Sequence, residues 1–302
     1  MKPLLVWLLL CIVWGSTWIF IKLGLEDLPP VSFAAIRFTV ACLILFPVLL
    51  FQKIVLPRGR KIWTVILITG LLQFFLNYGL LFWGEQYISS GLAAVLQATI
   101  PAFGLILARI YVGETITGVK IVSILLGLAG VAVIFKEQLQ LNGQMAFFGS
   151  LAVVAGAFAA AYASVLTKAK GKSQHPASFV FGQMLAGQFP LWLLGLVKEG
   201  SPLQFRWTWN AVICVVYLAV VGSIVAFWLY YWLLSKIDVS RAMMISFVTP
   251  LIAVFIGSFY GEELGVQTLF GGILILLSVF LIVFRPIFGR RELKSAGAET
   301  KS

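Results

Sequence analysis

The sequence predicts an all-α polytopic membrane protein of ten transmembrane helices, arranged as two inverted five-helix repeats. Three observations lead there. Of the 302 residues, 61% are hydrophobic and only 11% charged, with a mean hydropathy of +1.03, whereas soluble domains carry about 25% charged residues. Apolar runs of bilayer-crossing length recur along the whole chain. The second half of the chain repeats features of the first, at offsets of 149 and 146 residues.

The ten runs cover roughly 3–23, 31–52, 62–83, 89–111, 118–136, 144–167, 177–197, 209–233, 239–260 and 266–284. The first starts as "MKPLLVWLLLCIVWGS", basic and then apolar like a signal peptide. It lacks an A-x-A-like cleavage site and continues through "TWIFI", which makes it a spanning helix. The second carries Arg37 about seven residues in. The third holds Gln73, Asn77, Tyr78 and Trp83 and ends at Glu85. The fourth contains "VLQATIPAFGLILA", with Pro101 in mid-run, and an interior proline costs a helix about 3 kcal/mol. The fifth and sixth carry small residues four apart, Ser123 with Gly127, and Ala152, Gly156, Ala160 with Ser164. Such faces suit close packing inside a bundle, or a homodimer interface. The seventh offers Gln183, and the eighth Ser223, Trp228, Tyr230, Tyr231 and Trp232. The ninth repeats the proline, in "MISFVTPLIAVFIG", and the tenth follows it closely.

Charge sets the orientation. With the N-terminus in the cytoplasm, the cytoplasmic loops and ends hold 17 of the 22 Lys and Arg, among them Lys53, Arg58, Arg60 and Lys61 in one loop. Four fall outside (Lys22, Lys136, Lys198 and Arg206), and Arg37 lies inside a helix. This is positive-inside asymmetry. The net charge of +11 therefore reflects topology rather than a nucleic-acid site, and both termini are expected in the cytoplasm of a prokaryotic inner-membrane protein. Cys11, Cys42 and Cys214 fall in helices without disulfide or metal spacing, so no metal or cofactor is expected.

At an offset of 149 residues Pro101 falls on Pro250, Trp83 on Trp232, Ile88 on Ile237, Ala93 on Ala242 and Tyr111 on Tyr260. At 146, Lys22 falls on Lys168, Pro30 on Pro176, Ser32 on Ser178 and Phe33 on Phe179. The copies span 1–140 and 141–302, the second with a short basic tail. Five helices each is an odd number, so the second copy enters from the opposite side, the architecture of secondary transporters. Pro101 and Pro250 then free carbonyls near Gln97 and Ser246, backbone tolerated only against protein or a watery cavity. They read as hinges beside such a cavity; the plainer alternative is a kink in two buried helices.

The stretches "WGSTWIFIKLGLEDLPPVSFAAIRF", "PAFGLILARIYVGETIT" and "PLIAVFIGSFYGEELGV" resemble EamA-type members of the drug/metabolite transporter superfamily, over nearly the whole chain. The resemblance implies a ten-helix inverted-repeat carrier, often an exporter of amino acids or other small metabolites. One departure concerns glycines nine and sixteen residues after the motif glutamate: the first half has Ser123 and Gly130, the second Gly271 and Ser278.

Polar groups inside spans are site candidates by default. The substrate-binding candidates are Trp14, Ser16 and Thr17 on the first helix, Asn77 and Tyr78 on the third, Gln97 on the fourth, Tyr162 on the sixth, Trp228 on the eighth, and Ser246 and Thr249 on the ninth. Asn77 and Gln97 are the stronger, since an amide cannot satisfy all its groups on its own helix. Arg37 and its repeat partner Gln183 complete the set. Arg37 either attracts a substrate carboxylate or pairs with Glu26, Asp27 or Glu85. Trp83, Tyr231 and Trp232 suit an interfacial aromatic belt. Glu114 and Glu262 read as loop anchors beside helix N-termini.

Neutral hydrogen-bonding groups with aromatic walls suit a neutral or zwitterionic small molecule, moved by alternating access, in the export direction that the resemblance implies. No Asp or Glu falls mid-helix, and the lone His175 is in a loop, so coupling uses Glu85 or a tyrosine–water route, or transport is facilitative. The alternatives are a proton-coupled multidrug or other organic-solute exporter and, in a different class, a channel or structural subunit. An enzyme would need an acid/base or metal constellation that the sequence does not present. The expected partners are the lipid bilayer and a small-molecule substrate, with the chain a monomer or homodimer.

Overall fold

A computed structural model describes residues 2–88, 90–136, 143–171, 174–258 and 266–284. Tyr260, Glu262, the junction between the proposed halves and the basic tail lie outside the described residues. The helices are α1 (Pro3–Gly24), α2 (Pro30–Phe51), α3 (Arg60–Glu85), α4 (Ser90–Gln97 then Ile100–Val112), α5 (Gly118–Ile134), α6 (Gln144–Lys170), α7 (Pro176–Lys198), α8 (Trp209–Leu234), α9 (Val239–Met243 then Ile245–Ser258) and α10 (Val266–Val279, with a π-helical end Phe280–Phe284). Among the described residues nine are long and apolar enough to cross a membrane, and α5 is a shorter apolar helix. The chain is an all-α polytopic membrane protein.

Lipid supplies no hydrophobic drive between helices, so close contact and buried polar bonds hold the bundle. The seam between α5 and α10 shows how. A Cβ on Gly130 would come within 2.7 Å of the Gly271 carbonyl, and one on Gly271 within 2.5 Å of the Gly130 carbonyl. Farther along, Ser278 Oγ donates to the Ser123 carbonyl at 2.6 Å. The four positions singled out by the family-like pattern thus meet in like pairs, glycine on glycine and serine on serine. The small faces of α5 and α6 also pack inward: Gly127 lies against Phe247 of α9, and Gly156 against the backbone of Asn77 on α3. Aromatic rings pack between α2, α3 and α8, with Phe74 of α3 edge-on to Phe38 of α2 at 4.9 Å and 4.8 Å from Phe227 of α8.

The end of the bundle holding the start of α1 is termed lower and the opposite end upper. At the lower end α4 stops at Gly113, whose φ of 68° is left-handed, a conformation that suits glycine. The turn delivers Glu114 to the start of α9. Its carboxylate accepts from Lys120 Nζ at 2.8 Å, from the Val239 N–H at 3.0 Å and from Ser240 Oγ. Trp7 Nε1 of α1 donates to the Arg241 carbonyl at 3.0 Å, and Lys168 Nζ of α6 to that of Ile237. So the foot of α9 is tied to α1, α5 and α6. At the upper end Glu199 caps α2 through the Val31 and Ser32 N–H groups at 3.0 and 2.7 Å. Thr208 caps α8 and donates to Asp27, which also pairs with Arg206 at 3.3 Å. His175 caps α7, its Nδ1 accepting from the Ala177 N–H.

The two prolines sit differently. Pro101 lies in the first turn of the second segment of α4, after a break at Ala98–Thr99. There its missing N–H would have no helical partner anyway, so most of the cost of an interior proline is avoided. Pro250 is inside a continuous helix, and α9 breaks earlier, at Met244.

Removing the Glu114 carboxylate leaves the buried Lys120 ammonium with the Thr115 carbonyl at 2.9 Å and the Asp238 carboxylate at 3.7 Å, so Glu114→Ala is expected to cost about 3 kcal/mol of stability, the low end for a broken buried pair. Glu199→Ala, which removes a half-buried cap, should cost about 1 kcal/mol. Thermal unfolding of both variants in detergent checks the order.

Candidate functional site

The middle of the bundle encloses a cavity of about 540 Å³ bounded by α1, α2, α3, α4, α6, α8 and α9, within the size range of small-molecule sites. Its upper rim includes the exposed Lys22 and Leu25 together with Glu85 and Phe135. Its floor is made of buried groups, Phe227, Tyr230, Ser164 and Met243. Below that floor stands the knot of contacts at the foot of α9. The cavity is therefore open above and shut below.

Eight of the sequence candidates line it: Trp14, Thr17, Arg37, Asn77, Tyr78, Gln97, Ser246 and Thr249. The two amides meet, Gln97 Nε2 donating to Asn77 Oδ1 at 3.2 Å, which leaves the remaining groups of each for a ligand or water. Gln73 joins them one turn below Asn77 on the same wall. Trp14 stands edge-on to Phe227 and Tyr230, with ring centroids 5.4 and 5.1 Å apart. Thr17 and Ser246 spend their hydroxyl protons on carbonyls three residues back, at 2.7 and 2.9 Å, so in this geometry they face a ligand as acceptors. Pro250 lines the wall, whereas Pro101 is buried behind it and its neighbour Ile100 takes the surface position.

Four candidates stand elsewhere. Ser16 Oγ shares a hydrogen bond with Tyr217 Oη at 2.6 Å, one position round α1 from the wall. Tyr162 pairs with Tyr111, hydroxyl to hydroxyl at 2.9 Å, on an exposed face. Trp228 packs against His175, ring centroids 5.6 Å apart. Gln183 is fully buried between helices, its Nε2 donating to Thr69 Oγ1 at 2.5 Å and Thr167 Oγ1 at 3.4 Å. Tyr231, read as an interfacial residue, is buried among Phe179, Phe227 and Tyr230.

Two features of the site lie outside the sequence-based candidates, the first with no sequence signal and the second with a weak one. Leu71–Asn77 of α3 and Val220–Val225 of α8 are π-helical, a form that tends to occur at functional sites. At the 149-residue offset Leu71 falls on Val220, so the two stretches start in register. In α8, Ser223 Oγ donates to the Leu218 carbonyl five residues back at 2.9 Å. The Gly222 carbonyl, turned out of the helix, accepts from Arg37 Nη2 at 3.1 Å and Trp14 Nε1 at 3.4 Å. The other feature is Lys22 on the rim, whose charge the sequence assigns to the outer loop. Its alignment with Lys168 was the available hint.

A sequence profile of the EamA-like transporter family matches residues 1–136 and 147–284. The chain is similar to the inner membrane transporter YedA of Escherichia coli, 30% identical over 290 residues, 92% of each chain. It is similar to a probable amino-acid metabolite efflux pump of Escherichia coli, 27% identical over 288 residues, 92% of this chain and 93% of that one. One solved crystal structure shares the fold, with a TM-score of 0.80 over 96% of this chain and 98% of the other at 17% identity.

Cysteine accessibility tests the cavity on the buried-cysteine background of Cys11, Cys42 and Cys214. An impermeant thiol reagent is expected to modify Thr249→Cys readily in the intact protein and Gln183→Cys not at all. Equal labelling of both would contradict the cavity.

Proposed function

The chain belongs to the EamA-like transporter family, and from that premise we propose a secondary carrier that exports small neutral or zwitterionic metabolites, amino acids first, by alternating access. The observation that carries the proposal is the cavity, which joins an amide pair at Asn77 and Gln97 to aromatic walls at Trp14, Tyr78 and Tyr230. A solute of amino-acid size fits about 540 Å³, and few polar groups on an apolar wall orient small ligands. The likeness to a probable amino-acid metabolite efflux pump supports the substrate class.

The halves 1–140 and 141–302 act in this proposal as inverted repeats, a division supported by the two separate stretches matched by the family profile and by the registered π-turns. The positive-inside count supports cytoplasmic termini, and with that orientation the open rim faces away from the cytoplasm. The likeness to an inner membrane transporter supports that membrane. Pro101, behind the wall, and Pro250, in it, serve as hinges, with Pro250 leaving the Ser246 carbonyl without its helical donor. A second reading, coupling to protons, draws on one observation: Glu85 puts a carboxylate on the cavity rim.

Counterflow in proteoliposomes tests the proposal. Vesicles loaded with single amino acids should take up the labelled solute with no pH gradient; uptake that needs the gradient favours the second reading. Pro101→Ala and Pro250→Ala should fold and exchange more slowly than the parent, and unchanged flux in both single variants would remove the hinge role.

A further inference from the structure

The wall of the cavity contains a cation that no acidic group among the described residues balances. Arg37 is 4% exposed and lines the cavity. Its Nε donates to Ser223 Oγ at 2.8 Å and its Nη2 to the Gly222 carbonyl at 3.1 Å. The rings of Phe38 and Tyr78 lie 5.3 and 5.5 Å from the guanidinium carbon. Among the described residues no carboxylate pairs with it. The carboxylates proposed as partners are placed otherwise: Asp27 is taken by Arg206 and Thr208, and Glu85 lies at the rim.

A guanidinium does not lose its proton in a protein, and a buried charge without a partner is costly. Neutral acceptors lower that cost without cancelling the charge. Here the π-turn of α8 supplies both acceptors, a displaced carbonyl and a serine hydroxyl. They occupy two of the five N–H donors of the guanidinium, the Tyr78 hydroxyl takes part as well, and the donors that remain are available to a planar two-oxygen acceptor. The repeat-equivalent Gln183 is neutral, fully buried and off the cavity, so the centre is single and lies to one side.

We infer that Arg37 is the anion-recognition residue of the cavity, and that a transported solute must present one carboxylate to it. This rests on the reading of the cavity as the substrate site. The unbalanced charge also acts by exclusion: an amine without a carboxylate meets a like charge in a poorly solvated wall. The amide pair and the aromatic groups are left for the remainder of the solute.

The test is counterflow with free amino acids and their carboxamides, pairs that differ only in the loss of the carboxylate. The parent protein should exchange the acid at least about tenfold better than the carboxamide. Arg37→Gln should lose that preference together with most acid exchange, and Arg37→Lys should keep the preference with weaker acid binding. Ser223→Ala, which loosens the guanidinium while leaving its charge, should raise the KM for acids and keep the preference. If the parent exchanges acid and carboxamide equally, the inference falls while the carrier stands. If it exchanges neither, the reading of the cavity falls with it. The comparison within the parent protein decides even if Arg37→Gln does not fold.

Discussion

Hydrocarbon offers no hydrogen bonds, so every backbone N–H and C=O in the spanning region must find its partner within the protein. That constraint makes uninterrupted helix the default here and gives each departure from it a local explanation. Where α4 breaks, the Thr99 hydroxyl donates to the Leu96 carbonyl at 2.6 Å. Where α8 widens into a π-turn, Arg37 and Trp14 take the displaced Gly222 carbonyl. Where α9 and α2 begin, carboxylates from other parts of the chain cover their N–H groups. The break in α4 and the π-turn of α8 stand beside the cavity, the one between Gln97 and Ile100 and the other behind Arg37 and Trp14, whereas the two capped starts lie at the ends of the bundle.

The same constraint explains what the sequence reveals. Spanning runs are long and continuous, so all ten are legible, and their ends fall close to the helix ends: α3 extends a little beyond the predicted 62–83, reaching Arg60 and Glu85. Which side of a helix faces the cavity is less legible. Ser16 and Thr17 are neighbours in sequence, yet one helical step of about 100° sends the first toward Tyr217 and the second into the wall. Arg37 and Gln183 occupy equivalent positions, yet the former meets the π-turn of α8 while the latter is enclosed between Thr69 and Thr167. The π-turns themselves are invisible, since they change the spacing of hydrogen bonds and need no particular residue.

The likeness between the two stretches of chain is closer in scaffold than in chemistry. The π-turns start in register, and both lie beside the cavity. Yet Asn77 falls on Ala226 and Gln97 on Ser246 at the same offset, so the amide pair belongs to the first half alone. Arg37 comes from that half too. The second half contributes the rings of Phe227 and Tyr230, and the displaced carbonyl that steadies the guanidinium. The same half of the chain adds Ser246 and Thr249 to the wall.

The seam between α5 and α10 bears on how such a chain can change. Gly130 and Gly271 each leave the space the other's carbonyl occupies, and Ser123 and Ser278 are joined by a hydrogen bond. A drift at any one of these sites is felt in the opposite half, about 150 residues away along the chain. Because the atom met is a backbone carbonyl in each case, a side chain at either glycine is not relieved by a second substitution opposite it, and the helices would have to move apart.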